Sequence, residues 1–196
     1  MTNFAIFINP LFADKKSIFK LLESLQEEDR ALHQDKSEIS FFGDLGQAEI
    51  LQKPVRIVDF DSSSSVPRID CILVFGGDGT ILKAKELALK ASAPILGINL
   101  GYLGFLSEST LPEIRGSIRD LIAGKYQILS RMLITCSVIR NGQEILKDEA
   151  LNDAVIYKGE NPGLISVRIY ANGAYVFDAR CDGFVASSPT GSTAYS

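Results

Sequence analysis

Over the first 124 positions, short continuous apolar runs take turns with stretches of helical period. Residues 4–8 (FAIFI) predict a buried strand. The next segment places Ile18, Leu21, Leu22 and Leu25 on one helical face, with Lys15, Lys16, Lys20, Glu23 and Glu27 mostly elsewhere. Residues 39–42 and 55–60 predict two more short strands, and residues 62–65 with Pro67 a small-residue loop leading into 70–75 (DCILVF). That last run is apolar on both faces, as strands are in a parallel sheet covered by helices. After glycines at 76–79, Ile81, Ala84, Ala88 and Ala91 recur at spacings of three and four while Lys83, Lys85, Glu86 and Lys90 face water, so a helix is predicted. Pro94 opens the next strand, ILGINL; Thr110 and Glu113 predict a capping box for a helix with Ile114, Ile118, Leu121 and Ile122 inward and Gly124 as its stop.

Past Lys125 the grammar changes. Residues 131–140 alternate, Asn141-Gly142 reads as a two-residue hairpin turn, and Ile165, Val167 and Ile169 precede a second Asn-Gly at 172 and 173. An α/β half over 1–124 and an antiparallel β half over 125–196 are therefore expected. The last residues, 189–196, open a further element without a closing strand or cap, so the chain is expected to be cut short, its β half incomplete, and the piece itself inactive or self-associated.

Composition narrows the class. With 46% hydrophobic residues the chain can bury a sizeable core. Twenty basic against twenty-four acidic residues give a net charge of −4 with no Lys/Arg-rich run, which speaks against a nucleic-acid partner. No basic leader, apolar leader core or long uncharged apolar stretch is present, so a cytoplasmic protein without a membrane partner is expected. Cys71, Cys136 and Cys181 are odd in number and embedded in apolar text, which suits reduced packing residues. His33, the one histidine, lies in a charge-rich stretch and reads as a solvated surface residue.

The chemistry concentrates at glycines. Gly76-Gly77-Asp78-Gly79-Thr80 lies between a buried strand and an amphipathic helix, where backbone N–H groups and the positive end of the helix dipole favour an anion. Glycines let the backbone approach a phosphate, and Thr80 is expected to cap the helix. Asp78 is an odd choice for anion binding alone. It suits a general base toward an attacking hydroxyl, or a ligand of the Mg²⁺ that accompanies a nucleoside triphosphate, or else it is a plain turn residue. The string is neither a Walker A loop nor a GxGxxG fingerprint. Asn99-Leu100-Gly101 follows a strand at its carboxyl end, where open α/β sheets bind ligands, or is a simple strand exit. Asn152 and Asp153 pair an amide with a carboxylate, a combination suited to a ribose diol or adenine edge; Asp182-Gly183 and the hydroxyls of residues 190–193 offer polar groups expected within short reach of one another, to line a nucleotide pocket or form a polar turn.

GGDGT resembles the signature shared by NAD kinases, diacylglycerol kinases and sphingosine kinases. Three further segments, LGINLGYLGFL at 96–106, ALND at 150–153 and Asp182-Gly183 with SPTGSTAY at 188–195, occur in the order of the NAD kinase family. The resemblance implies a Rossmann-like parallel sheet with flanking helices carrying the phosphate donor and catalytic groups over 1–124, then an antiparallel all-β NAD-binding domain over 125–196. It implies Asp78 as the catalytic group that activates the adenosine ribose 2′-hydroxyl. Nucleotide-binding positions follow at Gly76, Gly77, Gly79, Thr80, Asn99, Asn152, Asp153, Asp182, Thr190, Thr193, Ala194 and Tyr195. The implied substrates are NAD and ATP or polyphosphate, with a divalent metal, Mg²⁺, for which Asp78 is one possible ligand, and a homodimer or homotetramer. Asp153 stands where the family also uses Glu, one methylene shorter. The alternatives are a lipid kinase of the diacylglycerol or sphingosine type and a catalytically silent dinucleotide-binding module.

Overall fold

The computed structural model describes residues 2–33, 38–62, 66–101, 104–160 and 162–193, and the chain divides into two compact units, Met1–Ile128 and Leu129–Ser196. In the first unit, strands β1 (Asn3–Ile8), β2 (Ser40–Asp44), β3 (Arg56–Val58), β4 (Cys71–Phe75), β5 (Ile95–Asn99) and β6 (Ser109–Thr110) form one sheet in the order β3-β2-β1-β4-β5-β6. Every pairing in it is parallel. Helix α1 (Lys15–Leu32) connects β1 to β2, helix α2 (Asp78–Ala91) connects β4 to β5, and helix α3 (Ile114–Ile122) follows β6. The strand order reverses between β1 and β4, the topological switch point at which doubly wound sheets hold nucleotides beyond the strands' carboxyl ends.

Period-two alternation splits the strands between two cores. Phe4, Ile6 and Ile8 of β1 and Cys71, Leu73 and Phe75 of β4 pack with Ile18, Leu22 and Leu25 of α1 and Ile114 and Ile118 of α3. Ala5, Ile72 and Val74 face the opposite side, against Ile81, Ala84 and Leu87 of α2. β4 is buried at all five positions, as its double-sided apolar text requires. Buried polar side chains close the frame: the Gln47 amide both accepts from the Ile8 N–H and donates to the Ile8 carbonyl, at 2.8 Å each. The Asp70 carboxylate accepts from the N–H groups of Thr2 and Asn3. Burial pushes the pKa of Asp70 up, but these two bonds and neighbouring Arg68 outweigh it and hold the carboxyl below its ordinary value.

Several local expectations shift. The predicted strand at 55–60 shrinks to three residues at the sheet edge. Ile122 is exposed, because Ile114, Ile118 and Leu121 already complete the inward stripe of a nine-residue helix. The capping box is half formed. Glu113 reaches back to the Thr110 N–H at 3.1 Å, but the Thr110 hydroxyl donates to the same carboxylate instead of capping the helix. Gly124 ends α3 at φ +73°, the left-handed conformation that glycine adopts without a Cβ penalty. His33 stands at the end of α1, its Nδ1 3.1 Å from the Asp29 carboxylate. In the loop predicted over 62–65, residues 63–65 lie outside the described residues.

The second unit consists of antiparallel ladders: β7 (Ile134–Arg140) with β8 (Gln143–Ala150), β9 (Asp153–Tyr157) with β12 (Gly183–Ser187), and β10 (Ile165–Ala171) with β11 (Ala174–Cys181). Both Asn-Gly pairs turn hairpins with positive φ at each central residue, as type I′ geometry demands. Among the described residues, the buried apolar side chains all lie at or before Leu121, and strand residues such as Ile139, Ile156 and Tyr157 are more than half exposed.

Burial of Cys71 at the start of β4 pushes its thiol up to about 12. A thiolate is the reactive form, so alkylation of the native protein near pH 8 should leave Cys71 unmodified by mass spectrometry until denaturant is added; rapid native labelling of Cys71 would contradict this burial.

Candidate active site

At the carboxyl end of β4 the chain turns through Gly76 and Gly77 directly into α2. The helix begins at Asp78, three residues earlier than a Thr80 cap would require. Gly77 is the N-cap, its carbonyl accepting from the Thr80 and Ile81 N–H groups at 2.8 and 3.2 Å, and no side chain caps the helix. Thr80 is thus a buried residue of the first turn, packed over Gly76: a Cβ on Gly76 would overlap the Thr80 hydroxyl and lie 2.5 Å from its Cβ. Thr80 closes the turn from inside. Around Gly77 and Gly79 the space is open among the described residues, none of which comes within 4 Å of a Cβ at either position. The first N–H groups of a helix have no intrahelical acceptor, so this bare turn presents amides and the positive helix end to an anion.

Asp78 is the acidic residue of that first turn and is half-buried. Its carboxylate is seated on the next loop: Oδ2 accepts from the Phe105 N–H at 2.9 Å and Oδ1 from the Leu106 N–H at 3.1 Å. That loop leaves β5 at Asn99, whose side chain is buried, accepts from the Gly101 N–H at 2.6 Å and lies 3.4 Å from the Ser107 hydroxyl. The Asn99 carboxamide therefore shapes the loop from within. Across the switch point, Asn9 follows β1, donates its N–H to the Phe75 carbonyl and accepts from the Leu11 N–H through its side chain. Sequence reasoning did not single out Asn9 or the 104–106 backbone; the Asn-Pro pair after the first apolar run was the available signal for the former.

In the second unit Asn152 and Asp153 come together with residues 187–191. The Asn152 carbonyl accepts from the Ser188 N–H at 2.7 Å, the Ser188 hydroxyl donates to the Leu151 carbonyl, and a Cβ on Gly191 would overlap the Asn152 backbone. Among the described residues the Asn152 side-chain oxygen is buried without a hydrogen-bond partner, an acceptor left open for a donor. Thr190 lies at this end, its hydroxyl 3.4 Å from Arg131. Asp182 does not join them. It precedes β12, ion-paired to Lys158 at 2.6 Å, and the five-residue strand separates it from Ser188 by roughly 20 Å at about 3.3 Å per residue. The short reach expected between Asp182 and the 190–193 cluster is corrected by that strand. Lys158 is an unforeseen cation here. Thr193 closes a 3-10 turn over Gly191–Thr193, with its side chain outside the described set, and Ala194 and Tyr195 lie outside the described residues altogether.

No group of three or more His, Cys, Asp or Glu able to hold a metal occurs among the described residues. Mg²⁺ usually keeps several waters and is bound through one or two carboxylates plus substrate phosphates, a demand that Asp78 beside a turn of open amides can meet.

The model of the ATP-NAD kinase N-terminal domain matches residues 12–126, and that of the ATP-NAD kinase C-terminal domain matches residues 151–196. The NAD kinase of Desulforamulus reducens is 45% identical over 127 residues, covering 65% of this chain and 44% of its own length. That of Citrifermentans bemidjiense is 40% identical over 152 residues, 76% of this chain and 53% of its own. The chain thus spans about half the length of these curated relatives. In fold it is similar to yeast NADH kinase solved with NADH, at a TM-score of 0.78 and 24% identity over 100% of this chain and 60% of that one. An Archaeoglobus fulgidus NAD kinase solved with ATP gives 0.59 and 23% over 99% and 64%.

The close fit of Thr80 over Gly76 has a measurable consequence. A Gly76→Ala substitution should cost about 1–3 kcal/mol of stability through overpacking, read as a lower denaturant midpoint; an unchanged midpoint would show that the turn can shift freely.

Proposed function

The chain belongs to the NAD kinase family, and from that membership we propose that its protein transfers a phosphoryl group from ATP or polyphosphate to the 2′-hydroxyl of the adenosine ribose of NAD, giving NADP. The observation that carries this reading is the half-buried Asp78 carboxylate, fixed where a fully buried central strand gives way to a bare helix N-terminus. A turn built only to bind anions gains nothing from a carboxylate. One built to activate a hydroxyl beside bound phosphates needs an acceptor there.

The open amides of the turn at Gly77 and Gly79 hold the donor's terminal phosphates; Gly76, expected to join them, has its own N–H taken by the Ile98 carbonyl at 3.0 Å and serves as the turn's buried entry, with Thr80 and Asn99 shaping the turn and the loop beside it. Asp78 takes the proton of the 2′-hydroxyl as that oxygen attacks the terminal phosphorus, and the bond to the donor's bridging oxygen breaks, releasing ADP or a shortened polyphosphate. A divalent cation bound with the donor, Asp78 being its candidate protein ligand, would supply charge neutralisation to the phosphates. Transfer of this kind rests on positioning and charge stabilisation, which suits a site with few reactive side chains. Asn152 is assigned to a donor group of the dinucleotide because its side-chain oxygen is buried and open; Asp153, Asp182, Thr190, Thr193, Ala194 and Tyr195 are assigned to the same substrate on the family resemblance. No helix among the described residues is long and apolar enough to cross a membrane, and we assign the protein to the cytoplasm as a homodimer or homotetramer.

Incubating the full-length protein with NAD, Mg²⁺ and either donor should yield NADP. Asp78→Asn should retain NAD binding and lower kcat about 10²- to 10⁴-fold; turnover near wild type would remove Asp78 from the base role.

A further inference from the structure

We propose that Gly104, with the backbone N–H groups of Phe105 and Leu106, is a positioning element that seats the Asp78 carboxylate for proton transfer; the proposal rests on the kinase reading above. The Asp78 carboxylate meets three consecutive residues of one loop. Its two oxygens accept one N–H each from Phe105 and Leu106, at 2.9 and 3.1 Å. Gly104 lies against the same group: a Cβ there would overlap Oδ1 and lie 2.5 Å from Cγ and 2.7 Å from Oδ2. Gly104 does not adopt the left-handed backbone, so its lack of a side chain answers to this contact alone.

The seat fixes both ends of the carboxylate. Two N–H bonds define the plane of the group and its rotation about the Cβ–Cγ bond, where a single bond would leave it free to swing. A carboxylate offers about four acceptor positions, so two occupied by the loop leave about two on a half-exposed group. Phe105 itself is exposed, so the seat lies at the surface of its unit and not in the core. The loop is braced from behind by the buried Asn99 side chain, which accepts from Gly101 and approaches Ser107. A methyl group added at 104 would meet the Asp78 carboxylate before any other described group.

The test uses the full-length protein and begins with NADP formation by the wild type; failure at that step sinks the kinase reading and not the seat. Given wild-type turnover, Gly104→Ala should lower kcat about a hundredfold, because a displacement of about 1 Å is costly when catalysis is positional. The KM for NAD should stay within about threefold, since the loss falls on the transition state. In an Asp78→Asn background the same substitution should change the residual rate by less than about twofold, because residues that act as a unit are not additive. Wild-type-like turnover in Gly104→Ala, or losses that multiply across the two backgrounds, would overturn the proposal. Should Gly104→Ala melt too early for kinetics, the Asp78→Ala/Gly104→Ala pair decides: removing the carboxylate makes room for the methyl group and should raise the thermal midpoint above that of the single variant. A double variant that melts at or below the single one would show that Asp78 is not what the methyl group strikes.

Discussion

Two backbone N–H groups, from Phe105 and Leu106, hold the Asp78 carboxylate at the mouth of the parallel sheet. The rest of the first unit can be understood as what fixes the two sides of that contact. On one side, β4 is buried at every position between two helical layers, so its exit at Gly76 is set by both cores. Thr80 closes over Gly76 from within α2 and leaves no room for slack. On the other side, β5 pairs with β4 from Ile72 opposite Ile95 to Phe75 opposite Ile98, delivering Asn99 to the level at which α2 begins. The buried Asn99 side chain then folds the outgoing chain back toward the helix.

The same contact explains how an acidic residue sits without penalty at a turn that favours anions. A carboxylate at the first turn of a helix is stabilised by the helix dipole, and its two accepted N–H bonds replace the water lost on partial burial. Gly77 and Gly79 on either side remain open, since none of the described residues fills the space around them. The arrangement is thus half occupied by the protein's own anion and half free for another. In the second unit the emphasis differs. Its ladders bury little, and its chemistry gathers at the Asn152 end of the β9–β12 pair, where the chain comes close enough that Gly191 has no room for a side chain.

Much of this was legible in the sequence, for physical reasons. Continuous apolar text gave β1 and β4, helical period gave Ile18, Leu22 and Leu25 of α1 and Ile81 and Ala84 of α2 while passing over buried Phe19 and Leu87, and Asn-Gly pairs gave the two hairpins, because each signal is local and one force dominates it. The miss at Thr80 was also local: a hydroxyl before a helix and one in its first turn look alike until the helix start is known, and here Gly77 takes the cap. The partners of Asp78 were hidden for another reason. They are backbone groups 27 and 28 residues away, and no side-chain pattern announces a backbone donor. Asp182 and Thr190 looked like neighbours because the strand between them is short in sequence, yet an extended strand is the longest way to arrange five residues. Lys158 was invisible because its pairing to Asp182 depends on the register of β9 against β12.

The most direct measurement is a crystal structure of the full-length protein with NAD bound. The ribose 2′-oxygen should lie about 2.6–3.2 Å from a carboxylate oxygen of Asp78, with that carboxylate still accepting from Phe105 and Leu106. A sugar lodged away from Asp78, or a carboxylate that has left the two N–H groups to meet it, would contradict the account.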